Sequence, residues 1–276
     1  MRKNTDPLLE RVVRRDRVVV FAALAMVVVA AWAFTLMGAG MGMTAFEMTA
    51  MSSPVPTSSS FASAAMVSHQ PWSAGYSGLM IVMWVTMMVA MMTPSAAPMI
   101  LLFARVSRQS RDQAAPYVPT GIFAAGYLAV WSCFSVLAAG LQWGLEKVGL
   151  VSAGMTPASV WLASGLLIAA GLYQMTPVKQ ACLRHCRGPL SFVLEHWRPG
   201  RGGAFRMGWT HGAYCLGCCW FLMGLLFAGG VMNLYWIAGL ALFVLLEKSI
   251  PHGHWLAYPT GAALTAWGLV LAAGVW

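Results

Sequence analysis

The sequence predicts an all-α fold, a polytopic transmembrane helical bundle of about seven spans with its amino terminus in the cytoplasm. Three observations predict it. The 276 residues are 59% hydrophobic and 9% charged, with a mean hydropathy of +0.69, far from the quarter-charged composition of soluble domains. Uncharged apolar runs recur at lengths near or above the roughly 17 residues that cross a bilayer. The basic residues fall in alternate loops, as the positive-inside rule requires.

The first run, near residues 18–37, follows a segment carrying Arg2, Lys3, Arg11, Arg14, Arg15 and Arg17. It is longer than a signal-peptide core and no small-x-small cleavage site follows, so it reads as a retained anchor helix. The segment 38–75 has no Lys or Arg and holds the Ser/Pro-rich stretch 52–60, which reads as a flexible extracytoplasmic loop. The second run, 76–103, contains Met92-Thr93-Pro94 and is followed by Arg105, Arg108 and Arg111. The third, 120–143, holds Cys133, read as a small buried hydrophobe. The fourth, 159–176, ends in Met175-Thr176-Pro177. Thr at an N-cap with Pro at the first helical position starts a new helix, so both Thr-Pro pairs predict a break or kink. A short interfacial helix is expected over 177–186, stopped by Gly188-Pro189.

The fifth run is 208–229, and the sixth, 232–247, follows it through Gly230-Val231 and ends at Glu247-Lys248. The seventh is 255–275. With the amino terminus cytoplasmic, sixteen of seventeen basic residues face the cytoplasm, Lys147 being the exception. The net charge of +9 is therefore a topology signal and gives no support for nucleic acid as a partner. The organisation is a basic segment 1–17, an anchor helix with its outer loop 18–75, a metal-binding core 76–254 and a last helix 255–276. The matching Met-Thr-Pro ends, with Tyr127 seven residues before Phe134 and Tyr214 seven before Phe221, suggest a degenerate duplication of spans two-three and four-five.

The chemistry lies in thiols and thioethers. His211, Cys215 and Cys218 fall within roughly 60° of helical arc at about 100° per residue, with Cys219 beside them, near the start of the fifth span. Cys182 and Cys186 are one turn apart on the short helix before it. Five thiols toward the cytoplasmic side of a reducing compartment read as metal ligands rather than staples; the alternative is small-residue packing between helices. His185 and His211 are further possible ligands. Twenty methionines include Met37, Met41, Met43, Met48 and Met51 near the outer end of the first span, and Met80, Met83, Met87 and Met91 as one stripe on the second. Alone, the stripe reads as core filler; with outer Met and inner Cys it forms the thioether-to-thiolate series that a Cu(I) path needs. Zinc, the alternative metal, prefers His and Cys and leaves the methionines unused. Glu247, with His252 or His254, is expected to complete the cytoplasmic site or to exchange protons, unless the Glu-Lys pair only anchors the helix end. Glu47 among the outer methionines is a weaker cation-attracting candidate.

The runs Trp84–Pro94, Lys179–Cys186 and His211–Trp220, with Gly230-Val231-Met232-Asn233 and Glu247-Lys248, resemble a bacterial family of predicted metal-binding integral membrane proteins, sometimes labelled copper chaperones. The similarity covers about 76–254, leaves the first helix, the outer loop and the last helix outside, and implies metal binding by the cysteines.

The resulting expectation is a multi-pass protein of a bacterial inner membrane that handles Cu(I) as transporter or chaperone. Its partners would be the lipid bilayer, the metal ion and a protein that donates or accepts it. The metal residues would be Cys182, Cys186, His211, Cys215, Cys218, Cys219, Met83, Met87, Met91 and Glu247. No Walker loop, dinucleotide fingerprint or His-Glu-x-x-His pair supports ATP-driven pumping or zinc proteolysis, and no enzymatic activity is expected. The enzymatic alternative is a membrane thiol-disulfide oxidoreductase, for which Cys-x-x-Cys near a helix start is suited; a metal-independent assembly factor is a third class.

Overall fold

A computed structural model of the protein describes residues 7–51, 71–109, 118–152, 154–250 and 254–274. The Ser/Pro-rich stretch 52–60, Arg111 and His252 lie outside the described residues. Eleven helices follow one another there: α1 Pro7–Leu36, α2 Ala45–Met51, α3 Ala74–Gln109, α4 Val118–Lys147, α5 Val160–Gln174, α6 Pro177–Arg187, α7 Pro189–His196, α8 Gly200–Gly224, α9 Leu226–Gly229, α10 Leu234–Ser249 and α11 His254–Ala272. The fold is all-helical, with one isolated bridge between Val151 and Pro157 among the described residues.

Four of these helices are long and apolar enough to cross a membrane, over Val18–Leu36, Ala74–Arg108, Pro119–Lys147 and Gly200–Gly229. The fourth expected span is α5, which has 15 residues and bends by 65° into α6, so that the two together make a fifth candidate. The sixth and seventh expected spans are present as helices but do not reach the same standard. α10 has 16 residues, and α11, with 19, is less apolar over its first half, where Tyr258, Pro259 and Thr260 sit.

The two Thr-Pro pairs behave differently. Thr176 caps α6, its hydroxyl accepting the Lys179 N–H at 3.3 Å, and Gly188 ends that helix. Thr93-Pro94 does not break α3, which runs on through Pro94 and Pro98. Each proline removes one i to i−4 bond, and the adjacent Met92 carbonyl is served from the side by the Tyr127 hydroxyl at 3.1 Å and the Ser95 hydroxyl at 2.9 Å. The proposed duplication is therefore not matched by equivalent breaks.

The segment between α1 and α3 lies in part within the described residues. Thr44 and Glu47 form a reciprocal cap on α2, with the Thr44 N–H donating to Glu47 Oε2 at 2.7 Å and the Glu47 N–H to Thr44 Oγ1 at 3.2 Å. The Thr44 N–H, with its hydroxyl, holds the Glu47 carboxyl below the ordinary carboxylate range. Glu47 thus serves the helix cap. The Thr49 hydroxyl in turn accepts the Leu234 N–H at 2.9 Å, tying α2 to the start of α10.

The core is built on α3, α4 and α8. α4 and α8 meet backbone to backbone: a Cβ on Gly126 would lie 2.3 Å from the Phe205 carbonyl oxygen, and one on Gly208 would lie 2.0 Å from that of Phe123. Small residues are what permit such an approach between apolar helices. Phe103 stacks on Phe123 at 4.5 Å between ring centroids and Trp84 packs on Phe227 at 5.3 Å. Gly208→Leu is expected to prevent this packing, at a cost above the roughly 1–3 kcal/mol of ordinary overpacking because backbone atoms must move. Loss of a monodisperse folded species in size-exclusion chromatography checks it.

Candidate metal centre

Two helices bring the thiols together. α6 carries Cys182 and Cys186 against α8, and Gly217 makes the contact possible, since a Cβ there would sit 2.8 Å from Cys182 Sγ. The Tyr173 hydroxyl fixes the same turn by donating to the Gly217 carbonyl at 2.5 Å. On α8, His211, Cys215, Cys218 and Cys219 are all buried. Cys186 packs against the core that holds Cys215, Cys218 and Cys219. α6 thus lays its two thiols on the face of α8 that carries the others, with Cys182 against Gly217. All six cysteines are free thiols, and Cys133 is exposed on α4 rather than buried as expected.

The cysteine run, expected near a helix start, lies well inside α8. α8 begins at Gly200, which puts Cys215 about 22 Å along the helix at 1.5 Å per residue. A helix terminus acts only over its first turn, so it does not activate these thiols. A charge does stand beside them: Lys248 Nζ lies 2.8 Å from Cys215 Sγ and donates to Ser95 Oγ at 3.1 Å. The Tyr127 hydroxyl lies 3.1 Å from the same sulfur, and Met92 Sδ is 3.9 Å from Cys219 Sγ. Lys248, Tyr127 and Met92 are thus neighbours of the thiols beyond the expected ligands. Each stood in a run that had drawn notice, the Glu-Lys helix end, the repeated Tyr and the Met-Thr-Pro pair, but none carried a signal of this contact.

The remaining expected residues divide. His211 is enclosed by Phe192, Tyr127 and Phe123 at 5.4, 5.7 and 6.2 Å between ring centroids, and its Nδ1 is a buried atom without a hydrogen-bond partner. His185 is engaged elsewhere: Nδ1 is 2.9 Å from the Ala181 carbonyl oxygen and the ring stacks on Tyr214 at 4.1 Å. Met83, Met87 and Met91 are buried, and so are Met80, Met88, Met92 and Met99. The buried thioether surface of α3 is therefore wider than one stripe, because α1, α4 and α10 all pack on this helix. Of the outer methionines, Met41 and Met48 pack on the core while Met37 and Met43 are exposed.

Glu247 is buried with Oε1 at 2.6 Å from the equally buried Lys179 Nζ. The Arg187 guanidinium also donates to the Glu247 backbone carbonyl, from Nε at 2.8 Å and from Nη2. Its carboxylate thus has α6 as partner, with Oε2 left unpartnered.

Among the described residues, no group of three or more His, Cys, Asp or Glu side chains is arranged so that it could hold a metal ion. The thiols are engaged instead with backbone: Cys218 and Cys219 donate to the Cys215 carbonyl at 3.0 and 2.9 Å. Metal capture would exchange these weak thiol hydrogen bonds for metal–thiolate bonds and release protons. The donor set is soft, as Cu(I) prefers.

No curated protein and no solved structure matches the chain. A family model, PpoB2, described as a copper chaperone, matches residues 81–271. That range runs past 254 through most of α11 and includes all of the thiols, Met92 and Lys248. The chain belongs to the PpoB2 copper chaperone family.

Proposed function

We propose that the protein holds Cu(I) at a thiolate centre inside a bacterial inner membrane and hands it on, by transport across the bilayer or as a chaperone to an acceptor protein. The observation that carries this reading is the buried grouping of Cys215, Cys218 and Cys219 on α8, with Cys219 next to the Met92 thioether and Cys182 of α6 laid against Gly217. Cys182 and His211 stand at the edge of the centre as further donors. Cu(I) is satisfied by two or three soft sulfur ligands, whereas a structural zinc site wants four ligands in a tetrahedron. Met83, Met87 and Met91 give the ion a buried thioether path along α3. The distribution of Lys and Arg supports seven membrane helices with the amino terminus in the cytoplasm. α10 and α11 then cross in company with longer neighbours. No energy source belongs to the chain's motifs, so direction follows the gradient, the membrane potential or the partner.

The test is the metal content of anaerobically purified protein, beside a variant with Cys215, Cys218 and Cys219 changed to Ser. We expect about one copper per chain, lost in the variant, as a thiolate site for a soft ion requires. Zinc alone would replace copper handling with a structural or regulatory site. A folded, reduced sample that holds no metal and shows a two-electron thiol couple would move the assignment to a thiol-disulfide oxidoreductase.

A further inference from the structure

Beside the thiols, α6 and α7 bring two imidazoles together. His185 of α6 and His196 of α7 have ring centroids 6.5 Å apart, with their planes at 79°. Each ring lies flat on an aromatic partner, His185 on Tyr214 at 4.1 Å and 5°, His196 on Phe192 at 4.6 Å and 12°. His196 is also 6.2 Å from Tyr214. Its nearly equal distances to the two stacked rings put it beside the His185–Tyr214 stack, at the rim of His185 and not over its face. The tautomers are fixed in the same way. His185 Nδ1 is 2.9 Å from the Ala181 carbonyl oxygen and His196 Nδ1 is 3.2 Å from that of Phe192. A carbonyl only accepts, so Nδ1 carries the proton in each ring and Nε2 keeps its lone pair. That is how a metal-ligating histidine is held, with one ring nitrogen donating to a carbonyl and the other open to the ion.

The spacing suits an ion between the rings. A direct hydrogen bond from ring to ring would bring the centroids to about 5 Å, whereas one metal ion with bonds of about 2 Å to a nitrogen of each holds collinear rings about 6 Å apart. What separates this pair from the thiols is access. Cys215, Cys218 and Cys219 are buried, while His185 and His196 are each partly exposed. The two sets are nonetheless adjacent: His185 precedes Cys186 in α6 and stacks on Tyr214, which precedes Cys215 in α8. An ion passing between buried thiols and another protein needs a ligand that is reachable from outside and weaker than thiolate, and imidazole is such a ligand for copper.

We propose that His185 and His196 form a second Cu(I) site, a two-coordinate exchange site in which each imidazole supplies Nε2 and the open side takes a ligand from the protein that donates or accepts the ion. The proposal rests on the Cu(I)-handling reading of the thiol centre, and names the point at which the ion enters or leaves it. Two nitrogen ligands satisfy Cu(I) but leave zinc two short of its tetrahedron. Tyr214 and Phe192 keep the imidazoles from turning away, so the pair is held in place before the ion arrives.

The test uses the full chain in lipid nanodiscs, with Cu(I) supplied and removed anaerobically by a chromophoric Cu(I) chelator. In a background with Cys182, Cys186, Cys215, Cys218 and Cys219 all changed to Ser, one weaker Cu(I) equivalent is expected to remain, with nitrogen neighbours and no sulfur in its X-ray absorption. His185→Ala and His196→Ala should each weaken it at least about tenfold, as loss of one of two ligands does. In the chain with its thiols intact, His196→Ala should leave the affinity of the thiol-dependent equivalent unchanged and slow both its loading and its removal severalfold, because a station on the route changes rates and not the equilibrium. Residual binding that survives either substitution, sulfur neighbours at the residual site, no residual binding in a background that keeps the wild-type elution profile, or unchanged exchange rates in His196→Ala overturns the proposal. Should the thiol-free chain fail to fold, the exchange rates of the thiol-intact chain decide alone. Absence of the tight thiol-dependent equivalent from the unsubstituted chain is a failure of the proposed function, whereas absence of the nitrogen-bound equivalent alone leaves that reading standing, so the two failures are distinguishable.

Discussion

Lys248→Leu is expected to weaken Cu(I) binding by one to two orders of magnitude while leaving the chain folded, and Lys248→Arg to retain most of the affinity. A Cu(I) ion bound by two or three thiolates leaves the centre with a net negative charge, in surroundings where an unpaired charge is expensive. The Lys248 ammonium stands 2.8 Å from Cys215 Sγ, so it is placed to balance that charge. At an effective dielectric of 20, two unit charges about 4 Å apart attract by about 4 kcal/mol. If about half survives the desolvation of the ammonium, roughly 2 kcal/mol remains, or about 30-fold in affinity. Leucine keeps an apolar side chain without adding a sulfur ligand, so the loss isolates the charge. Competition against a chromophoric chelator measures it, and equal affinities for the wild type and Lys248→Leu would sink the charge-balancing role.

The parts of this molecule that sequence made legible are those set by local chemistry. The capped helix α6 followed from Thr176-Pro177 and Gly188-Pro189, and the angular grouping of His211, Cys215, Cys218 and Cys219 followed from helical period alone. The same Thr-Pro signal failed at Thr93-Pro94, where the helix runs on through both Pro94 and Pro98 with α1, α4 and α10 packed around it. The start of α8 was read late for a related reason. Arg201 and Arg206 end the apolar run but not the helix, so hydropathy finds where a helix becomes apolar rather than where it begins. Cys133 was misplaced because a helix apolar all round gives no phase from which to choose a buried face. Lys248 was the costliest omission. A lysine at the last turn of an apolar helix usually anchors at an interface, and only the packing of α10 against α3 brings its amine to Ser95 and Cys215. The Met92 contact is equally long-range, joining α3 to α8.

Glu247 can be separated from the metal ligands by a double-mutant cycle on its partner. Lys179 and Glu247 are buried to 0% and 1% side-chain exposure at 2.6 Å, so Lys179→Met or Glu247→Leu alone leaves one charge buried without its partner. Each is expected to cost about 3–5 kcal/mol, and the pair of substitutions together to recover most of it, since an apolar pair of similar volume removes both desolvation penalties. Thermal unfolding in detergent reads both values. The same four proteins decide what the carboxylate is for. Lys179 lies on α6, one turn before Cys182 and two before Cys186, so the ion pair and the Arg187 contact to the Glu247 carbonyl clamp α6 onto α10 and hold Cys186 over α8. A clamp can be replaced by apolar contact and a ligand cannot. We therefore expect the double variant to regain copper together with stability; stability regained without copper would return Glu247 to the coordination sphere, where its unpartnered Oε2 would be the donor.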